Sequence, residues 1–182
     1  MPFLISLANG IDRVNNRIGQ ALSWLVLFTV LAAAAVAILR YAFSVGWVWM
    51  QDSYVWANAA LIMLGAAYTL LHEKHVRVDF FYASRGPKFR AAVNLFGTLF
   101  LLVPSVVAIF WYSYPYVLHS WQRLESTQDV GGLPWVYALK TVILLFCIPL
   151  LAQGLSLVIR SYLVLAGVTA ESDIANGNTD ND

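Results

Sequence analysis

The densest group of side chains that could do chemistry lies between Leu70 and Tyr82, in the stretch LLHEKHVRVDFFY. His72 and His75 are spaced i, i+3, which can place two imidazoles on one helix face for a metal ion. No cysteine or third ligand in a metal-binding spacing accompanies them, and His119 lies in a distant segment where it cannot complete a haem site with them. No Ser/His/Asp or Cys/His constellation is present either. The chain is therefore predicted to be neither an enzyme nor a cofactor carrier.

The same stretch alternates charged and apolar residues with a period of two. An extended backbone would place the charges of His75, Arg77 and Asp79 on one side and the apolar side chains on the other. Asp79 suits the N-cap of a following helical turn, and Pro87 suits the first position of the next long helix. We interpret the stretch as a structured reversal between two membrane spans.

The segments around this reversal are long and apolar. The 182 residues are 60% hydrophobic and 12% charged, against about 25% charged in soluble domains. A helix needs roughly 20 residues to cross about 30 Å of hydrocarbon. Uncharged segments of about that length or longer cover residues 18–39, 53–71, 91–118 and 141–159. The sequence predicts an all-α integral membrane protein with four transmembrane helices, a single membrane domain over residues 1–165 and a disordered cytoplasmic tail over residues 166–182.

Two of these segments need comment. The first is too long for the apolar core of a signal peptide, so an uncleaved span is predicted. The third is longer than the membrane is thick, since its residues would extend about 42 Å. We expect it to tilt, to bend near Pro104 or to protrude, and we expect Pro115 to end it.

The charge distribution predicts the orientation. Of the eleven lysines and arginines, eight fall on the side that carries both termini and the middle loop. The positive-inside tendency places that side in the cytoplasm, where Arg85, Lys88 and Arg90 would meet anionic lipid headgroups. Six of the seven tryptophans cluster at the opposite ends of the spans, which is typical of membrane anchoring or of a docking surface; they are Trp47, Trp49, Trp56, Trp111, Trp121 and Trp135. A net charge of +1 gives no reason to expect nucleic acid as a partner.

A few polar or small residues inside the spans are candidates for helix contacts. Asn58 and Gly65 are seven residues apart, on one helix face, and could pack against another helix of the bundle or against a partner subunit. Asp52 and Arg40 both lie at the outer end of the first hairpin, where they could pair. No span carries an internal charge, and no inverted repeat or broken helix marks a midplane substrate site, so the chain is predicted not to transport solute alone.

The stretch Trp49–Tyr82 resembles the small permease subunit of tripartite ATP-independent periplasmic (TRAP) transporters, the DctQ-like family. The features that match are an acidic residue opening the second span (Asp52), LGAA at Leu64–Ala67 and HVRVD at His75–Asp79. GLPWVYALKTVILLFCIPLLAQGLSLVIR also resembles the last span of that family. The family more often has glutamate at the position of Asp52, and an acid where this chain has Gln51.

The resemblance implies a multi-pass subunit of the bacterial inner membrane that braces a large permease subunit in ion-coupled uptake of an organic acid. The large subunit would hold the substrate and sodium sites, and a periplasmic binding protein would deliver the substrate. This chain would then need no cofactor of its own. Two alternatives stay open at this point: a membrane-anchor subunit of a respiratory oxidoreductase, and a small self-sufficient transporter.

Overall fold

The computed structural model describes residues 2–72 and 86–167, and these residues form a bundle of long helices. The elements are α1 (Pro2–Phe43), α2 (Val48–Leu71), α3 (Pro87–Gly97), a π-helical segment (Thr98–Leu102), α4 (Val103–Gln122) and α5 (Val136–Leu165). The helix from α3 through the π-helical segment to α4 is continuous. Four helices of the described part are long and apolar enough to cross a membrane. The predicted all-α fold with four transmembrane helices is confirmed.

The first helix is much longer than the predicted span of residues 18–39. It begins at Pro2 and contains 42 residues, or about 63 Å of helix. The uncharged stretch was a poor guide to its start, because Asp12 and Asn15 lie inside the helix and face another helix rather than lipid.

The third span contains a local distortion next to its first proline. The Val103 N–H donates to the Thr98 carbonyl, an i to i−5 bond that widens the helix just before Pro104. A proline clashes with the carbonyl four residues earlier, here Phe100, and the wider turn makes room for it. The predicted end at Pro115 is wrong, since α4 continues to Gln122. Membrane helices tolerate proline where neighbouring groups satisfy the freed backbone. Pro87 does lie in the first turn of α3, as predicted.

The last helix, α5, is the centre of the bundle and packs against α1, α2, α3 and α4. Its contacts are close because small side chains occupy most of the buried positions; among the described residues these include Ala8, Ala67, Ala91, Ser120, Cys147, Ser156 and Ser161. At Gly154, a Cβ atom would lie 3.0 Å from the Leu102 side chain. Lipid tails are as apolar as leucine, so close backbone approach and polar contacts hold membrane helices together.

The bundle has two ends with different contacts. We call the end where α1 begins and α5 ends the terminal face, and the end that carries residues 44–47 and 123–135 the loop face. The connection between α2 and α3 lies largely outside the described residues, and it contains His75, Arg77 and Asp79. The predicted reversal motif and residues 168–182 of the predicted tail therefore stay predictions.

Candidate functional site

A buried polar network joins α1 to α5 near the terminal face. Asp12 is at its centre and is only 7% exposed. Its Oδ1 accepts hydrogen bonds from Gln153 Nε2 at 2.9 Å and from Ser156 Oγ at 2.7 Å. Its Oδ2 accepts from Arg160, through Nε at 3.1 Å and through Nη2. Four donor atoms from three side chains of α5 therefore hold this carboxylate against α5.

Asn15 extends the network one helical turn further along α1. Its Nδ2 donates to Gln153 Oε1 at 2.6 Å, so Gln153 is held at both ends of its amide. At the other end of the network, Arg160 also donates to Asn9 Oδ1 at 2.9 Å. Every member therefore bonds to another member, and the network fastens two helices rather than presenting free groups to a ligand.

Sequence reasoning misses Asp12 because the predicted first span begins at Ile18, after this residue. A usable signal was present: Ala8, Asp12 and Asn15 are spaced i, i+4, i+7, which places a small and two polar residues on one helix face. Gln153 and Ser156 lie three residues apart on the last span, so they too share one helix face. The local pattern of each segment does not show that α1 and α5 pair with each other.

On the loop face, Asp52 ties the long loop of residues 123–135 to the start of α2. Its Oδ2 accepts a hydrogen bond from the Leu133 N–H at 3.0 Å, and the Trp49 N–H donates to the Gly131 carbonyl at 3.0 Å. Gly132 allows this approach, because a Cβ atom there would lie 2.6 Å from Asp52 Oδ2. The expected Arg40–Asp52 pair is not among the ion pairs of the described residues, and Arg40 is exposed.

Replacing Asp52 by alanine is expected to loosen this loop, since the Leu133 N–H loses its acceptor. The loss should be about 1 kcal/mol of unfolding free energy, the usual contribution of one hydrogen bond. Thermal unfolding in detergent and protease cleavage within residues 123–135 would measure it. Asp52→Asn keeps a side-chain oxygen at the same place and should behave like the wild type; an asparagine variant as loose as the alanine variant would contradict the acceptor role.

A second set of contacts on the loop face joins α4 to α5. Glu125 Oε2 accepts hydrogen bonds from Lys140 Nζ at 2.5 Å and from Ser120 Oγ at 2.7 Å. The Lys140 ammonium also lies 4.0 Å from the centre of the Tyr116 ring, and Trp121 Nε1 donates to Thr141 Oγ1 at 2.8 Å. The hydrogen bond from Lys140, and then that from Ser120, lower the pKa of Glu125 below its ordinary value of 4.5.

This lowered pKa predicts a pH dependence. A carboxylate whose pKa is lower in the folded than in the unfolded state stabilises the fold above its unfolded value, and the stabilisation is lost as pH falls through the folded value. The wild type should melt at a higher temperature than Glu125→Gln at neutral pH, and the difference should shrink as pH falls below 4.5. Melting curves of both proteins across that range would test this, and a difference that does not change with pH would contradict it.

The remaining predicted site residues lie on α2. Asn58 is exposed on the outside of the bundle, so it does not pack against another helix of the described chain. Gly65 faces α1, and a Cβ atom there would lie 4.0 Å from Leu22, an ordinary contact. A much closer approach between α1 and α2 lies at Gly19, where a Cβ atom would lie 2.0 Å from the Tyr68 ring. The role of Asp52, Asn58 and Gly65 in contacts with another subunit stays a prediction.

Of the two histidines considered for metal binding, His75 lies outside the described residues and His72 has a local partner. His72 Nδ1 lies 3.1 Å from the Tyr68 carbonyl, and the two rings are 4.2 Å apart. Within residues 2–72 and 86–167, no group of three or more His, Cys, Asp and Glu side chains could hold a metal ion.

The fold and these contacts define a four-span membrane protein whose polar side chains hold its own helices and loops together. Residues 29–163 match the family model described as "Tripartite ATP-independent periplasmic transporters, DctQ component". The chain belongs to this family. It is therefore a multi-pass protein of the bacterial inner membrane and a transporter component rather than an enzyme, and the oxidoreductase alternative is not favoured. No curated protein and no solved structure gives a significant match.

Proposed function

We propose that this chain braces the large permease subunit of a TRAP transporter during ion-coupled uptake of an organic acid, which a periplasmic binding protein delivers. The substrate and coupling-ion sites, with sodium as the expected ion, are assigned to the large subunit. The chain itself would need no cofactor. In the same proposal both termini are cytoplasmic, so the loop face is periplasmic.

The observation that supports the proposal is that the polar side chains of the Asp12 network are already paired with groups of the same network. A solute or ion site needs polar groups that can exchange their partners for the cargo, as at the midplane sites of carriers. Here Gln153, Ser156 and Arg160, all on α5, each donate a hydrogen bond to Asp12 on α1. The network therefore supports a role in holding helices in place rather than in moving cargo.

Reconstitution into liposomes tests the proposal. The chain alone should give no uptake, and the chain with the large permease and the binding protein should give uptake that depends on a sodium gradient. Uptake by the chain alone would overturn the proposal. So would purification from native membranes without a multi-span permease partner. A reporter fused after Asp182 should be active in the cytoplasm, and periplasmic activity would overturn the orientation.

A further inference from the structure

The two faces of the bundle differ in charge. On the loop face the described residues hold three basic and three acidic side chains, which are Arg40, Arg123, Lys140, Asp52, Glu125 and Asp129. On the terminal face they hold five basic side chains against one acid, which are Arg13, Arg17, Lys88, Arg90, Arg160 and Asp12. The loop face is therefore balanced, whereas the terminal face has an excess of four positive charges.

Three of the basic side chains on the terminal face are accessible. Arg13, Arg17 and Lys88 are all exposed, and the ion pairs of the described part include none of them. Arg13 and Arg17 are four residues apart and so lie on one side of α1. We call these three residues the terminal cations.

The chain beyond α5 carries the charge that would balance this face. Residues 168–182, which we call the acidic segment, contain four acids and no Lys, Arg or His; the acids are Glu171, Asp173, Asp180 and Asp182. Their number equals the excess of positive charge on the terminal face. The connection of residues 73–85 cannot supply this charge, because its three Lys and Arg outnumber its two acids.

The acidic segment begins at the same end of the bundle as the terminal cations. α5 ends at Leu165, eleven residues beyond Gly154, or about 16 Å along the axis. Thr98 and Leu102, on the antiparallel third span, lie against Gly154. Lys88 precedes Thr98 by ten residues, or about 15 Å of helix, so it lies near the level at which α5 ends.

The arginines on α1 are also within reach. Arg13 follows Asp12, whose carboxylate bonds to Arg160, five residues before the end of α5. An extended chain spans about 3.3 Å per residue, so Glu171 and Asp173 can lie up to about 13 and 20 Å from Gly167. The acids at 180 and 182 reach further.

We propose that the acidic segment binds to the terminal cations of its own chain, in competition with anionic lipid headgroups. Attachment through Gly167 makes the contact intramolecular, and short tethers give effective concentrations of about millimolar. Anionic lipids attract the same side chains when these lie near the membrane surface. The contact uses charges of this chain alone, so it does not depend on the proposed function.

Carbodiimide coupling tests the contact, because this reagent joins a carboxylate to a lysine amine when the two are in contact. In the full chain, in neutral detergent at low salt, Lys88 should be joined to an acid of the acidic segment, as mapped by mass spectrometry. Lys140 and Glu125, 2.5 Å apart, provide a positive control in the same sample. Coupling of this control pair without an adduct at Lys88 would overturn the proposal, and so would adducts that only join two copies of the chain.

Lysine substitutions extend the test to α1 with a matched control. Arg13→Lys keeps the charge and adds a reactive amine on the terminal face, and Arg40→Lys does the same on the loop face; both arginines are exposed. The first variant should give a new adduct with the acidic segment, and the second should give none. Adducts from both positions, or from neither, would contradict the proposed contact.

Neutralising the acidic segment measures the competition with lipid. A full-length variant with Glu171→Gln, Asp173→Asn, Asp180→Asn and Asp182→Asn should bind phosphatidylglycerol in mixed micelles at least about fivefold more tightly than the wild type, the effect of about one cation near an anionic surface. High salt should reduce this difference, because exposed charges are screened. Asp129→Asn removes an exposed acid on the loop face and should leave the affinity unchanged. Equal affinities of the neutralised variant and the wild type would overturn the competition, and so would an equal gain in Asp129→Asn.

Discussion

Replacing Asp12 by asparagine is expected to destabilise the folded chain by about 3–5 kcal/mol, the cost of breaking a buried ion pair by removing one partner. Arg160 would keep its charge but lose its counter-charge, and the asparagine could not accept all the hydrogen bonds that Gln153, Ser156 and Arg160 donate to the carboxylate. Thermal or denaturant unfolding in detergent would measure the change. Protease cleavage near the start of α1 should also become faster, because the network fastens that segment to α5.

Arg13 provides the control for this experiment. It is adjacent to Asp12 on the same helix, carries a charge and is exposed. Arg13→Gln should therefore change the unfolding free energy by less than about 0.5 kcal/mol. Combining Asp12→Asn with Arg160→Gln should cost less than the sum of the two single changes, since the second change removes the charge that the first left unpaired. Additive effects would show that the two side chains do not act as a pair.

A second large effect is expected at Gly19, which the Tyr68 ring covers. A Cβ atom on Gly19 would lie 2.0 Å from Tyr68 Cδ2 and 2.3 Å from Cγ. Because Cγ stays in place when the ring rotates about χ2, such a rotation cannot clear the contact; Tyr68 must change its χ1 rotamer or the helices must shift. Overpacking of this kind costs about 1–3 kcal/mol. Gly19→Ala should therefore melt below the wild type, even though alanine favours helix by about 1 kcal/mol over glycine.

Gly65 is the matched position on the facing helix. A Cβ atom there meets only Leu22 at 4.0 Å, so Gly65→Ala should melt at or above the wild-type temperature. The two alanine variants have the same chemistry and differ in the space around the new methyl group. Equal melting temperatures would contradict the close approach of α1 and α2 at Gly19.

The sequence predicts the four spans because length and absence of charge are local properties that the bilayer imposes on each helix separately. Prediction from the sequence fails where a polar residue in one helix is satisfied by residues of another helix. Asp12 is acceptable in α1 only because Gln153, Ser156 and Arg160 lie opposite it, and no pattern within residues 2–17 contains that information.

At the other sites too, the sequence predicts local features of a residue but not its partner in a distant segment. Asp52 was recognised as a residue at the start of α2, but its partner is the backbone of Leu133, which any residue except proline could supply. A bend near Pro104 is one of three expectations for the long third span, beside tilt and protrusion, and a π-helical segment lies just before Pro104. The sequence predicts that Asn58 contacts a helix of the bundle or a partner subunit; Asn58 is exposed in the described chain, and its contact with a partner subunit stays a prediction.

The ties at the two faces have a mechanical consequence. At the terminal face α1 is bonded to α5, and at the loop face the start of α2 is bonded to the loop that precedes α5. The pair of helices α1 and α2 is thus hydrogen-bonded to the second half of the chain at both ends of the bundle. Rotation of one half against the other would have to break the hydrogen bonds at both ends. A force applied to either half is therefore transmitted to the whole subunit, which tilts or shifts as one rigid body.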